Sequence, residues 1–158
     1  MLSLAETFQA PTISLKEKVD IFEAEMAKLP QTYLPLSHRF TPGLYIREIF
    51  MPAGTVVTSR THKRTHPFVI SKGKVDVMDE KGDIERIEAP HTGITTAGTR
   101  RVLVVLEDTI WTAFYVTEKT DVHELEEELT YTDNENLPKD FKQAYTGEKT
   151  DVQFPVLR

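Results

Sequence analysis

The stretch from Gly54 to Gly73, GTVVTSRTHKRTHPFVISKG, decides the fold of this chain. It begins at a glycine, continues through a β-branched run, passes a polar segment between His62 and His66, and returns as an apolar run to the second glycine. Strands favour β-branched and aromatic side chains, and glycine marks turns. The stretch is therefore predicted to form two strands of a hairpin, each bounded by a glycine turn.

Two imidazoles and a guanidinium are predicted to meet on one face of this hairpin. Side chains alternate between the faces of a strand, so Arg60 and His62 point the same way. The returning strand can place His66, Phe68 and Ile70 on that side. The sequence therefore predicts a pocket with polar groups above an apolar floor.

The composition narrows the class of protein. The chain has 158 residues, of which 39% are hydrophobic and 28% are charged, as in a single soluble domain. Its net charge of -6 argues against nucleic acid and anionic membranes as partners, and no apolar run approaches the roughly 20 residues of a membrane span. The absence of cysteine excludes disulfides and thiolate ligands, and no secretory signal is visible. We therefore expect a cytoplasmic protein.

Residues 1–42 are predicted to form an arm, a helix and a proline-rich connector. Ser14 and Glu17 have the spacing of a capping box, and apolar residues at helical spacing follow until a proline ends the helix. The charged residues between them, which include Asp20 and Glu23, are expected to face water.

Residues 43–117 have the pattern of an all-β unit. Eight short strand patterns follow one another with turn residues between them, which is typical of a sandwich or barrel. Their predicted ranges are 45–51, 55–61, 66–72, 74–79, 84–89, 93–97, 101–107 and 110–116. Residues 118–158 are predicted to form a short acidic helix and an extended arm, and we expect the glutamates of that helix, Glu126 among them, to be solvated.

The same region resembles the cupin family of double-stranded β-helices, or jelly-roll barrels. The first cupin motif has a His-x-His pair, an acidic residue four positions later and a closing glycine. Here Gly73 closes the motif, and Arg60, His62 and His66 stand at the positions of the first histidine, the second histidine and the acidic residue. The resemblance implies a cupin-like barrel over residues 43–117, with helices flanking it.

The second cupin motif has Pro-x-Gly, a histidine and, four residues later, an asparagine. Residues 89–100, APHTGITTAGTR, supply the proline and the glycine, but Thr96 stands at the histidine position and Arg100 at the asparagine position. The segments HPFVISKGKVDV, APHTGITTAGTRRVLVV and EDTIWTAF also resemble short cupin-like proteins of bacteriophages. That likeness implies a phage origin, and with it a location in the host cytoplasm or in the virion.

These departures from the motifs bear on metal binding. A metal-dependent cupin is expected to offer three imidazoles and a carboxylate, whereas this chain keeps only His62 and His66 as candidate ligands. Two neutral imidazoles bind a divalent metal weakly unless other groups complete the coordination shell. A metal cofactor is therefore an alternative and not the favoured expectation.

Arginine at these positions favours an anionic ligand. A guanidinium cannot ligate a metal, keeps its charge and offers a fork of donors that matches carboxylate or phosphate. The residues expected to line one basic pocket are Arg60, His62, His66, Thr96 and Arg100. Arg101 is close in sequence, but its facing is open. In the alternative, Arg60 and Arg100 pair with Glu107, Asp108 or Glu48 inside the barrel.

Three functions agree with the sequence. The favoured one is a non-catalytic protein that binds an anionic, phosphate- or nucleotide-like molecule, and in a phage this would mean sequestering a host metabolite or signal. The second is a metal-dependent isomerase, lyase or oxygenase that uses His62 and His66. The third is a structural or accessory virion protein with a degenerate pocket and other virion proteins as partners. A homodimer is expected, because both terminal segments carry apolar faces and cupins often pair.

Overall fold

The structure, a computed structural model, describes residues 14–79, 81–131 and 134, and the backbone of 156 and 157. In chain order its elements are α1 (Leu15–Met26), β1 (Leu36–Thr41), β2 (Leu44–Met51), β3 (Val56–Thr58), β4 (His66–Met78), β5 (Ile84–Glu88), β6 (His91–Thr95), β7 (Val102–Val116), α2 (Val122–Leu129) and β8 (Val156–Leu157). The arm expected at residues 1–13 lies outside the described residues, as does most of the arm expected after the second helix.

The strands form one antiparallel sheet that is organised around β7. This strand pairs with β2 along one part of its length, and with β3 and β4 along others. Strand β4 also pairs with β5 and β6, β1 extends the sheet beyond β2, and β8 pairs with β3. The predicted all-β architecture with flanking helices is confirmed. In the described ranges, no helix is long and apolar enough to cross a membrane.

The two halves of the Gly54–Gly73 stretch do not pair with each other, so the predicted hairpin is wrong. Strand β3 pairs with β7 and β8, and β4 pairs with β5, β6 and β7. The polar segment between them makes backbone hydrogen bonds elsewhere: Ser59 donates to Arg101, and His62 donates to Thr99. Both acceptors lie just before β7, and these bonds replace the pairing expected across a hairpin.

Strands β4 and β7 each join two of the predicted strands. The register of β4 against β7 shifts between Ile70 and Val75, so the strands stay paired across an irregular crossing. Gly73 lies there with φ +101°, and a Cβ atom on it would be 2.5 Å from the carbonyl oxygen of Asp108. The glycine therefore permits a positive φ and a close backbone approach, and does not reverse the chain.

The proline-rich connector contains a strand that the sequence patterns missed. Strand β1 pairs with β2 from Leu36 opposite Ile49 to Thr41 opposite Leu44. Its side chains are intermediate or exposed, so it lacks the apolar alternation by which a strand is recognised. The sheet therefore begins at Leu36, before the expected boundary at residue 43.

Helix α1 begins where the sequence predicts. The Ser14 hydroxyl accepts a hydrogen bond from the Glu17 backbone N–H, and the Glu17 carboxylate accepts one from the Ser14 N–H at 2.7 Å. The capping box is therefore confirmed. Phe22 and Met26 are buried in a cluster with Val102 of β7, which attaches the helix to the sheet.

Helix α2 covers one end of the sheet. Its N-cap Asp121 accepts a hydrogen bond from the Glu124 N–H, and its apolar side, Leu125 and Leu129, is buried in a cluster with Tyr45 and Tyr115. A separate, larger cluster fills the interior and contains Ile49, Phe68, Ile70, Val75 and Val105. The space between this interior cluster and α2 is where the candidate site lies.

Candidate functional site

A cavity of about 100 Å³ opens between the sheet and α2. Its walls come from β2, β3, β4 and β7, from the segment that links β3 to β4, and from α2. We call it the basic cavity, because its ionisable lining consists of Arg47, Arg60, Arg101, His62, His66, Tyr45, Tyr115 and Glu126. Its apolar lining consists of Ile49, Met51, Val57, Leu103, Trp111, Ala113 and Leu129.

The two predicted histidines are neighbours in the cavity. The ring centroids of His62 and His66 are 4.9 Å apart, and the His66 ring packs against Tyr115 at 4.3 Å. Nδ1 of His66 lies 2.9 Å from the carbonyl oxygen of Arg64. A carbonyl can only accept, so Nδ1 of His66 carries the hydrogen and Nε2 of the neutral ring is an acceptor.

Both imidazoles are neutral near pH 7. Burial is the main cause that lowers the pKa of His62 to about 3, and repulsion by a protonated His66 and by Arg47 and Arg101 lowers it further. Burial also lowers the pKa of His66, where the hydrogen bond to Arg64 acts in the opposite direction. The positive charge of the cavity therefore comes from its guanidinium groups.

Three arginines reach the cavity from different parts of the chain. Arg47 lies on β2, Arg60 follows β3, and Arg101 precedes β7. The Arg101 guanidinium donates to the Thr95 hydroxyl at 2.7 Å, and it lies 5.4 Å and 5.7 Å from the ring centroids of Phe68 and Trp111. At these distances, cation–π attraction holds the Arg101 guanidinium against the Phe68 and Trp111 rings.

Glu126 is the acidic residue of the cavity lining, and its position contradicts the sequence expectation of a solvated glutamate. Its side chain is only 11% exposed, and Nη1 of Arg60 is 4.0 Å from its carboxylate. Burial raises the pKa of Glu126, while the charges of Arg60, Arg47 and His123 lower it. The acidic run of α2 is thus solvated at Glu124 and Glu127 but turned inward at Glu126.

Arg100 lies outside the cavity, so the expectation that it lines the pocket is wrong. Its guanidinium bonds to Asp20 and, at 2.7 Å, to Glu23 of α1, and its Nε donates to the Ser59 carbonyl at 3.3 Å. Successive side chains of an extended chain point to opposite faces, so Arg101 faces the cavity and Arg100 faces α1. The expected solvent exposure of Asp20 and Glu23 is wrong for the same reason, since both are buried.

Thr96 is also misplaced by the sequence prediction. It is exposed, and its hydroxyl bonds to that of Thr99 at 3.0 Å in the turn before β7. Its neighbour Thr95 lines the cavity instead. Thr95 and Arg101 line the cavity, so the second motif was aligned one residue too far along the chain at Thr96 and one residue too early at Arg100.

The structure therefore brings together three of the five predicted site residues, Arg60, His62 and His66. Their part in ligand binding stays a prediction. Sequence reasoning missed Arg47 and Glu126 and left Arg101 undecided. A period-two signal for Arg47 was present: it lies two residues from both Tyr45 and Ile49, which are buried, so all three side chains are on the same face of β2.

The cavity does not supply the ligand set of a metal-dependent cupin. Over residues 14–79, 81–131 and 134, no group of three or more His, Cys, Asp or Glu side chains could hold a metal ion. His62 and His66 offer two neutral nitrogens, and Glu126 is the paired acid of Arg60. Among the described residues, the donors of the cavity therefore fall short of the ligand number of a metal site.

Comparison with known proteins supports the fold. No protein-family model and no curated protein matches the sequence. Ectoine synthase from P. lautus matches by structure with a TM-score of 0.52 and 13% identity, over 65% of this chain and 78% of that one. An RmlC-like cupin with a double-stranded β-helix fold, from Methanocaldococcus jannaschii, matches with a TM-score of 0.45 and 10% identity, over 57% and 93%.

The sheet topology agrees with the cupin fold expected from the motifs, and the structural likeness to ectoine synthase extends over 65% of the chain. The chain is a double-stranded β-helix with one helix before the strands and one after β7. The fold prediction is thus confirmed. At these identities the likeness is one of fold, and function must come from the cavity itself.

Proposed function

We propose that this chain is a small-molecule-binding protein that holds an anionic ligand in the basic cavity. The observation that carries the proposal is the charge of the lining: among the described residues it holds three guanidinium groups, of Arg47, Arg60 and Arg101, and one carboxylate, that of Glu126. Like charges that share a partly desolvated space repel one another, and a bound anion offsets this repulsion.

The titration of neighbouring groups supports the same conclusion. Arg47 acts against proton binding at both histidines, and Arg101 does so as well. A positive potential that disfavours an imidazolium also favours a carboxylate or phosphate at the same place. The guanidinium groups can form charge-assisted hydrogen bonds with such a ligand, and Nε2 of neutral His66 can accept one more.

The size of the cavity favours a small ligand. A space of about 100 Å³ is less than an engineered cavity of roughly 150 Å³ that binds benzene. Phosphate or a short organic acid fits inside, whereas a nucleotide would extend beyond the cavity. We therefore narrow the ligand class from nucleotide-like molecules to small anions.

The resemblance to bacteriophage proteins suggests a biological role for this binding, in which the protein sequesters a host metabolite without catalysis. Mass spectrometry of the small molecules released on denaturation would identify the ligand without a preselected panel. A stoichiometric amount of divalent metal in the untagged protein would instead favour the alternative of an enzyme that uses His62 and His66.

Calorimetry with small anions tests the proposal. We expect binding of at least one member of a panel of phosphate, sugar phosphates and short carboxylates, weakened about tenfold or more in Arg101→Gln, because a hydrogen bond to a charged group contributes about 1.5–3 kcal/mol. Arg60→Lys keeps the positive charge and removes the forked pair of donors, so it should lower the affinity for carboxylates through geometry alone.

The matched control is Arg86→Ala, which removes an exposed arginine paired with Asp76 on the far strands β4 and β5. Its affinity should equal that of the unmodified protein. No binding across the panel, or equal loss in Arg86→Ala and Arg101→Gln, would contradict the proposal.

A further inference from the structure

The basic cavity holds a concentration of buried polar atoms that lack hydrogen-bond partners. Among the described residues, six buried side-chain atoms have none: His38 Nε2, Thr58 Oγ1, His62 Nδ1, Glu126 Oε1, Glu126 Oε2 and Glu128 Oε2. Four of the six belong to Thr58, His62 and Glu126, which line the cavity. Buried polar atoms are normally paired, because leaving one unsatisfied is costly.

From these atoms we infer that the ligand is a small 2-hydroxycarboxylic acid with an apolar body, an inference that rests on the proposed function. The guanidinium groups favour a negative charge, whereas the two oxygens of Glu126 have no hydrogen-bond donor among the described residues. A simple anion supplies the charge and leaves those oxygens unsatisfied. It also places like charge beside the carboxylate, which is unfavourable.

A hydroxyl group meets this need better than an ammonium group. A hydroxyl donates one hydrogen bond and accepts others, so it can donate to Glu126 and accept from Thr58 or Arg60. An ammonium would also satisfy Glu126, but it would add a fourth positive charge to a cavity that already holds three guanidinium groups. The charge balance therefore favours a neutral donor.

The spacing of the charged pair favours a hydroxyl next to the carboxylate. Nη1 of Arg60 and the carboxylate of Glu126 are 4.0 Å apart. In a 2-hydroxy acid the carboxylate and the hydroxyl stand on adjacent carbons, so one molecule can contact both partners at once. Dianionic phosphate keeps one P–OH donor, but it brings a second negative charge towards Glu126, which is unfavourable.

The remaining walls favour an apolar body on the ligand. Met51, Val57 and Leu103 line the cavity together with Trp111, whose ring stacks on Phe68 at 4.3 Å. Apolar surface in contact with these side chains is removed from water, which stabilises the complex. A short branched 2-hydroxy acid therefore fits better than a polyhydroxylated sugar acid.

Matched acid pairs test this inference by calorimetry on the full chain. The pairs are lactate with propionate, and 2-hydroxyisovalerate with isovalerate, and phosphate is added as a separate arm. We expect each hydroxy acid to bind about tenfold or more tightly than its partner, because a site built to bond a hydroxyl discriminates against the analogue without it.

Substitutions at Glu126 test whether its carboxylate causes the preference for a hydroxy acid over the matched acid without the hydroxyl. Glu126→Leu removes both acceptors and should reduce the preference to about twofold or less, because only the hydroxyl bond to the carboxylate is lost. Glu126→Gln keeps the shape and an acceptor, so its preference should be intermediate. Glu127→Leu alters an exposed glutamate of the same helix and should leave the preference unchanged.

The outcomes separate the two proposals. If neither the carboxylates nor phosphate binds, the proposed function itself fails. If phosphate or the deoxy acids bind as tightly as the hydroxy acids, the basic cavity is an anion site and the hydroxy-acid inference is wrong. An equal preference in the unmodified protein and in both Glu126 variants also overturns the inference, and Glu126→Gln provides that result even if Glu126→Leu does not fold.

Discussion

Replacing His62 by glutamine should remove much of the protein's sensitivity to acid. In the folded protein, burial lowers the pKa of His62 to about 3, whereas an imidazole in the unfolded chain titrates near 6.5. Below about pH 6.5 the unfolded chain takes up a proton that folded His62 does not. The free energy of unfolding therefore falls as the pH decreases, and this loss ends only near the folded pKa.

The expected size follows from the two pKa values. Between about pH 7 and pH 5, a group that titrates near 6.5 when unfolded and near 3 when folded costs about 2 kcal/mol of stability. Urea unfolding at the two pH values gives this loss for the unmodified protein and for His62→Gln. We expect the loss to be about 2 kcal/mol smaller in the variant.

The control is His123→Gln, because His123 lies on the exposed side of α2 with 51% of its side chain accessible. Its acid sensitivity should match that of the unmodified protein. A difference between His62→Gln and the unmodified protein below about 0.5 kcal/mol, the usual error of additivity, would refute the buried, neutral state of His62.

Two further substitutions test how the fold is held together. Arg100→Met should lower the free energy of unfolding by about 3–5 kcal/mol in urea titrations, because it removes the buried cation that Asp20 and Glu23 share and leaves Asp20 only the exposed Lys16. A loss below about 1 kcal/mol, the size expected of a surface pair, would contradict this role. Gly73→Ala should destabilise more than Gly82→Ala. Both glycines have positive φ, but only at Gly73 would a Cβ contact the backbone, and equal thermal shifts would contradict the close approach.

The overall architecture could be predicted from local patterns. Turn residues and period-two alternation located the strands of the sheet, and the Ser14–Glu17 spacing located the start of α1. Strand pairing could not be predicted in this way, because it depends on contacts between distant segments. The Gly54–Gly73 stretch therefore has the local pattern of a hairpin. In the structure its two strands, β3 and β4, each pair with β7 and not with each other.

The candidate site shows the same division. Arg60, His62 and His66 lie within one short segment and line one cavity, although the hairpin from which this was predicted does not form. The orientation of Arg100 depended on a shift of one residue, which moves a side chain to the opposite face. The burial of Glu126 could not be predicted from the sequence, because it results from the packing of Leu125 and Leu129 against the tyrosines of the sheet.

Helix α2 also has a consequence for how such proteins diversify. It contributes Glu126 to the cavity, and its end is joined to the linking segment by backbone hydrogen bonds from Lys63 to Leu129 and from Tyr131 to Thr61. The helix comes after β7, the last strand of the barrel proper. Under the proposed function, a change confined to this helix would alter the choice of ligand while every strand of the sheet keeps its sequence.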